Sequence, residues 1–171
     1  MNRMPKIYTT YYTSPVGTLK VSCTATYISE VLFLNKDMEI TDENQMSQDL
    51  PPLLIQCVDE LIGYFNGVRR KFEVPVYQEG TPFQMRVWDE LQSIPFGKTI
   101  SYLELSRRLG DIKAIRAAAS TNGKNKIAII VPCHRVIGSN NDLVGYAGGL
   151  SNKRWLLQHE AKIAHGVQTL F

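Results

Sequence analysis

Residues 127–136 read Ile-Ala-Ile-Ile-Val-Pro-Cys-His-Arg-Val. The first five form a continuous apolar run, the pattern of a buried strand or an equivalent core segment. Pro132 disfavours the helical region for Val131, so the chain reaches Cys133 extended and with little freedom. A lone cysteine at the end of such a segment is usually plain core. Here a histidine follows at once and an arginine follows that. Loops flank the segment, Asn122-Gly123-Lys124-Asn125 before it and the glycine-rich residues 145–149 after it. A thiol becomes a useful nucleophile on deprotonation, which a nearby imidazole or cation promotes. Adjacent side chains on an extended chain point to opposite sides, so His134 is expected to reach Cys133 through a turn or a bridging water. Its other ring nitrogen then needs an orienting acceptor. Glu160, at the end of the helical stripe around Leu156 and Leu157, is the best candidate. Spacing alone equally allows a surface glutamate there.

Working back from this segment, residues 83–121 read as helices. Thr81 is suited to N-cap the first, with Pro82 at the first helical position. Phe83, Val87, Leu91 and Ile94 repeat at helical spacing until Pro95-Phe96-Gly97. Ser101 with Glu104 predicts a capping box for the next helix, which stops at Gly110. Asp111 caps a third, from 112 to about 121. Two short helices joined through a glycine resemble a helix-turn-helix. In the third helix Ile112, Ile115 and Ala119 share a face suited to the core, and Ala114, Ala117 and Thr121 the opposite one. A face of small residues lets a helix press closely on a partner such as a DNA groove, with Arg116 at its flank. The alanines read equally as helix-propensity residues.

The first half reads as a small α/β domain. Leu19, Val21 and Cys23 alternate with polar neighbours as in a half-buried strand, after a turn at Ser14-Pro15-Val16-Gly17. Residues 27–34 make the next strand, residues 35–52 a polar loop, and residues 53–65 a helix with Leu54, Val58, Leu61 and Phe65 on its stripe. Residues 71–76 return as a short edge strand containing Pro75. The boundary falls at Gly80, giving domains 1–79 and 80–171.

The chain has 171 residues, enough for two small domains with real cores. No apolar run is long enough to span a membrane, and the first ten residues carry no secretory pattern. Three cysteines without a CxxC pair predict free thiols in an intracellular, cytoplasmic setting. No zinc-ligand spacing can be written, so no metal is expected. Residues 1–80 carry seven Lys/Arg and ten Asp/Glu, and residues 81–171 twelve and six. The second half is therefore the candidate for a polyanionic partner.

The segment Pro132-Cys133-His134-Arg135-Val136 matches the active-site motif of the O6-alkylguanine-DNA alkyltransferases. The similarity runs from Gly80-Thr81-Pro82-Phe83-Gln84 through Ile94-Pro95-Phe96-Gly97, Ser101-Tyr102, Arg116-Ala117 and Asn125. It continues through Gly145-Tyr146-Ala147-Gly148-Gly149 to Glu160. The first half resembles the family through its strand–helix–strand outline, residues 14–19 and Tyr64-Phe65-Asn66-Gly67. The resemblance implies a ribonuclease H-like α/β domain followed by a mostly helical, winged-helix-like domain with a helix-turn-helix. It implies transfer of an alkyl group from O6-alkylguanine in double-stranded DNA to Cys133, once per protein, and leaves open whether O4-alkylthymine is a second substrate. His134 would take the thiol proton through a water and Glu160 would orient His134. Asn125 would hold the bend beside the active segment. Tyr102 would assist protonation of the departing guanine, and Arg116 would replace the extruded base in the stack. Ala114 and Ala117 would line the helix face in the minor groove, while Tyr146, Ala147 and Gly148 would wall the pocket. No cofactor is implied, and the protein would act as a monomer.

The chain departs from commoner family patterns at Ala147, where many members carry serine, and at Lys126 and Ala128, where some carry proline. These positions are expected to reshape the pocket wall. A cysteine–histidine hydrolase is disfavoured because its signatures around the cysteine are absent. A helix-turn-helix regulator would have no use for the buried cysteine segment.

Overall fold

The computed structural model describes residues 3–34 and 49–166. The chain divides into two compact units, Met1–Gln78 and Glu79–Phe171. Of the polar loop expected over 35–52, residues 35–48 lie outside the described residues.

The first unit is a three-stranded antiparallel meander, β1 (Tyr8–Ser14), β2 (Gly17–Cys23) and β3 (Ile28–Phe33), with helix α1 (Pro52–Phe65). β1 lies beyond the strands expected from sequence. Its Tyr- and Thr-rich run YTTYYTS buries only Thr10 and Ser14, so apolar alternation is missing. It is held by its register against β2, with Thr10 opposite Val21. On β2 the alternation is real: Leu19, Val21 and Cys23 are fully buried. α1 buries Leu54, Cys57, Leu61, Tyr64 and Phe65. Val58, expected on that stripe, is only half-buried.

The edge strand expected over 71–76 is not formed. A single bridge joins Ile28 and Val76. The reason is local. The N–H groups of Glu73 and Val74 bond to the buried Glu60 carboxylate at 2.5 and 3.3 Å. Pro75 then has no N–H to offer. One side chain has taken the hydrogen bonds that a ladder would need.

The second unit contains α2 (Pro82–Gln92), β4 (Ile100–Ser101), α3 (Tyr102–Arg108), α4 (Ile115–Gly123), β5 (Val136–Ile137) and α5 (Leu150–His165). Both parts of a capping box join Thr81 and Gln84 at the start of α2, and Pro82 opens the helix. Ser101 caps α3 by accepting from the Glu104 N–H at 3.0 Å. The Glu104 carboxylate turns instead to Arg107 and Arg108, at 3.0 and 3.3 Å. α3 and α4 form the helix-turn-helix through Gly110, whose φ of +85° suits glycine.

The third helix differs from its sequence-based outline. Ile112–Ala114 is a 3₁₀ turn, and the α-helix begins only at Ile115. The tighter turn shifts the angular phase of everything after it. The core face is Ala118, Thr121 and Asn122, all buried. Ile112 is exposed, while Ile115 and Ala119 line a cleft rather than the core. Apolar residues that serve a cleft carry the same period as core residues, so spacing alone does not separate them.

Residues 127–131 are buried but are not a strand. The segment folds back, with the Val131 N–H donating to the Ile127 carbonyl at 3.0 Å. Ile129 sits at φ +71°, an uncommon conformation for a β-branched residue. The Asn125 side chain makes this possible by standing in for backbone partners. It donates to the Val131 and Ile127 carbonyls at 2.8 and 3.3 Å and accepts from the Ile127 N–H at 3.0 Å.

The loop after α2 approaches α5 at Gly97, which has φ +78°; a Cβ there would lie 2.5 Å from the Ala164 Cβ. Gly97→Ala therefore combines backbone strain with a clash against another element. It is expected to destabilise the protein by about 2 kcal/mol or more. In urea unfolding this appears as a lower midpoint at unchanged slope.

Candidate active site

Cys133 opens a 3₁₀ turn, Cys133–Arg135, directly after Pro132. The turn is why adjacent side chains serve different purposes here. His134 and Arg135 both converge on Glu160 of α5. His134 Nε2 lies 2.5 Å from Glu160 Oε2. Arg135 binds the same carboxylate with Nε to Oε1 at 2.8 Å and Nη2 to Oε2 at 3.2 Å. The Gly97 N–H adds a fourth donor at 3.0 Å. Arg135 Nη1 also donates to the Ile94 carbonyl at 2.7 Å. His134 and Glu160 are 0% and 1% exposed, so this is a fully enclosed network.

Burial by itself raises the Glu160 pKa. The hydrogen bond from His134, and the charge and hydrogen bonds of Arg135, outweigh burial and hold the carboxyl well below the usual carboxylate range. Arg135 keeps its charge at all relevant pH, so Glu160 is an anion whether or not His134 is protonated. Burial lowers the His134 pKa against the opposing pull of Glu160, which makes the neutral imidazole the resting form. An ionised carboxylate only accepts, so the one proton of that imidazole sits on Nε2. Nδ1 keeps a lone pair and is buried without a hydrogen-bond partner among the described residues. A base is therefore available on the residue next to Cys133.

The thiol needs one. Burial pushes the Cys133 pKa up, and the Asn125 side chain, Lys153 and the N–H groups of Cys133 and His134 only partly offset it. Lys153 is absent from the candidates that the sequence suggests. Its ammonium is fully buried and donates to the Val136 and Val144 carbonyls at 2.7 and 3.2 Å. Burial pushes its pKa down to about 8, opposed by Cys133. A signal does exist: Lys153, Leu156, Leu157, Glu160 and Ala161 form the buried stripe of α5, so a lysine stands on an apolar helical face.

Cys133 is 6% exposed and lines a cleft of about 390 Å³. Tyr102, Arg116, Asn125, Tyr146 and Ala147 line it too. Asn122, Ile115, Ala119 and Val144 join them. Tyr146 is half-buried with its hydroxyl enclosed. Burial, then the charges of Cys133 and Glu160, keep that hydroxyl protonated. The lining ends at Ala147. Gly148 lies beyond it, its carbonyl bound by Asn152 Nδ2 at 2.9 Å as α5 begins. Ala114 is half-buried and Ala117 exposed, both off the cleft wall. Lys126 is exposed and Ala128 buried, so neither reshapes the wall directly.

Residues 82–162 match the 6-O-methylguanine DNA methyltransferase DNA-binding domain, and residues 7–78 match the ribonuclease-like domain of the same family. A methylated-DNA–protein-cysteine methyltransferase of Mycobacterium bovis is 40% identical over 158 residues, covering 92% of this chain and 94% of the relative. The constitutive methylated-DNA–protein-cysteine methyltransferase of Bacillus subtilis is 38% identical over 162 residues, covering 91% and 97%. The crystal structure of Mycobacterium tuberculosis O6-methylguanine methyltransferase superposes with a TM-score of 0.82 at 37% identity, covering 95% of this chain and 97% of that one. The same organism's OGT in complex with DNA superposes with a TM-score of 0.78 at 38% identity, covering 90% and 92%. Family-model matches over both units, and relatives alike over nearly the whole length, lead to one assignment: the chain belongs to the 6-O-methylguanine DNA methyltransferase family.

Proposed function

We propose that this protein repairs alkylated DNA by direct reversal, moving the alkyl group of O6-alkylguanine onto Cys133 in a single irreversible transfer. The observation that carries this reading is the pairing of a cleft-lining Cys133 with a buried neutral His134 whose Nε2–H is committed to Glu160.

The alkyl group lies on a stacked, paired base, so the base must leave the duplex to reach a thiol inside a cleft. Arg116, exposed at the cleft, fills the gap left in the stack. The exposed Ala117 and half-buried Ala114 let the helix-turn-helix lie close in the minor groove. Tyr146 and Ala147 wall the base, and the protein works as a monomer on double-stranded DNA. Asn125 keeps the folded-back segment in place, and so sets where Cys133 lies.

The chemistry then follows from the protonation states. His134 Nδ1 takes the thiol proton through a bridging water, and the imidazolium that forms is stabilised by Glu160. The thiolate attacks the alkyl carbon, the S–C bond forms and the C–O6 bond breaks. The bonding pair passes into the guanine, which is protonated by Tyr102. The product is a thioether at Cys133. It has no good leaving group, and no group in the cleft cleaves a C–S bond, so the protein is consumed.

With a duplex carrying O6-methylguanine, the Cys133 peptide is expected to gain the mass of one methylene, at most one per protein. Cys133→Ala is expected to bind DNA and transfer nothing. No mass change, methylation elsewhere, or repeated turnover contradicts the reading. Arg116→Ala is expected to slow transfer from duplex by about tenfold or more, the loss of a stacking contact worth about 1–3 kcal/mol. Its reaction with free O6-benzylguanine should stay near wild type. A similar loss on both substrates would remove Arg116 from base extrusion.

A further inference from the structure

Asn122 lies in the last turn of α4 and is 4% exposed, yet it lines the cleft with Cys133 and Tyr102. Its partners fix which way the amide faces. Nδ2 lies 3.3 Å from the Cys133 carbonyl oxygen, which can only accept. The same nitrogen lies 3.5 Å from the Tyr102 hydroxyl oxygen. One amide group is thus divided between the backbone of the nucleophile and a phenol. Oδ1 is left buried without a hydrogen-bond partner among the described residues. An unpaired buried acceptor is a cost that an apolar side chain would avoid. The orphan oxygen therefore argues that the NH₂ end is what the position requires.

We propose that Asn122 is a positioning residue for proton delivery: by donating to the Tyr102 hydroxyl oxygen, it makes that hydroxyl present its proton, and not a lone pair, to the departing base. This rests on Tyr102 acting as proton donor in the transfer proposed above. A phenol has one proton. With Asn122 donating to its oxygen, Tyr102 directs that proton outward. In the resting protein the proton goes to the Val144 carbonyl at 3.5 Å, a long contact that a better acceptor displaces easily. During transfer the C–O6 electron pair enters the guanine, and a ring nitrogen takes the Tyr102 proton. The tyrosinate recovers a proton through solvent, matched by the one His134 took from the thiol, so the step balances. Burial and the Cys133 charge raise the Tyr102 pKa, and the Asn122 hydrogen bond offsets them only in part.

Two electrophiles separate this role from simple support of Cys133. O6-methylguanine in a duplex needs its leaving group protonated. Iodoacetamide, which expels iodide, does not. At saturating duplex, Asn122→Ala is expected to slow transfer by about tenfold or more, as for loss of a positioned proton donor. Alkylation of Cys133 by iodoacetamide should change less than about twofold. Asn122→Asp, whose carboxylate would capture the hydroxyl proton, should be slower on duplex than Asn122→Ala. In a Tyr102→Phe background, Asn122→Ala should cost nothing further. Equal slowing with both electrophiles, or additive losses in the double variant, overturns the proposal. If Asn122→Ala does not fold, Asn122→Ser carries the same comparison. Wild-type protein that transfers no methyl group would sink the functional reading itself. Wild-type transfer matched by Asn122→Ala would sink only the role of Asn122.

Discussion

The second unit depends on one buried carboxylate. Glu160 accepts from His134, twice from Arg135, and from the Gly97 N–H. An ionised group this deep is tolerable only when its oxygens are saturated by donors of matching charge. Here the saturation also joins three parts of the chain: α5, the Cys133–Arg135 turn and the loop after α2. Gly97 must be glycine for the loop to come close enough. The network makes stability depend on pH in one direction. The folded-state pKa of Glu160 is depressed, so its contribution is complete above the unfolded carboxylate value and is lost as pH falls. The His134 pKa is also lowered, so acidification below the ordinary imidazole range favours the unfolded chain too. Both shifts favour the folded state near neutral pH.

The same carboxylate links architecture to chemistry. Because Glu160 is an anion that only accepts, it decides which nitrogen of His134 carries the proton. Burial keeps that ring neutral, and burial also keeps the thiol protonated. Acid and base are thus stored uncharged in a closed site, side by side on one turn. The charge separation needed for attack is supported by groups already in place, with Lys153 and the Asn125 amide favouring the thiolate. Such preorganisation suits a protein that reacts once, since no later step requires the site to reset.

Much of this is legible in the residues. The caps at Thr81 and Ser101, the breaks at Gly97 and Gly110, and the helical stripe ending near Glu160 follow from local rules that tertiary packing does not override. Other features are hidden for identifiable reasons. The run 127–131 has the apolar pattern of a strand but is not one, because a side chain, Asn125, supplies the hydrogen bonds that a ladder would have supplied. The 71–76 strand is lost to Glu60 in the same way. A 3₁₀ turn displaces the face of α4, so Ile115 and Ala119 line the cleft and Asn122 joins them. Lys153 escapes notice because a lysine is ordinarily read as solvent-facing. In each case the deciding partner is remote in sequence or is a side chain acting as backbone, which periodicity does not register.

The transfer rests on the state of His134: a neutral ring, protonated on Nε2 by demand of Glu160, with Nδ1 free to take the thiol proton. Nitrogen-15 NMR of the resting protein across neutral pH reads this directly. A neutral imidazole with a protonated Nε2 and a bare Nδ1 is the expected result. An imidazolium at neutral pH, or a proton resident on Nδ1, would contradict it.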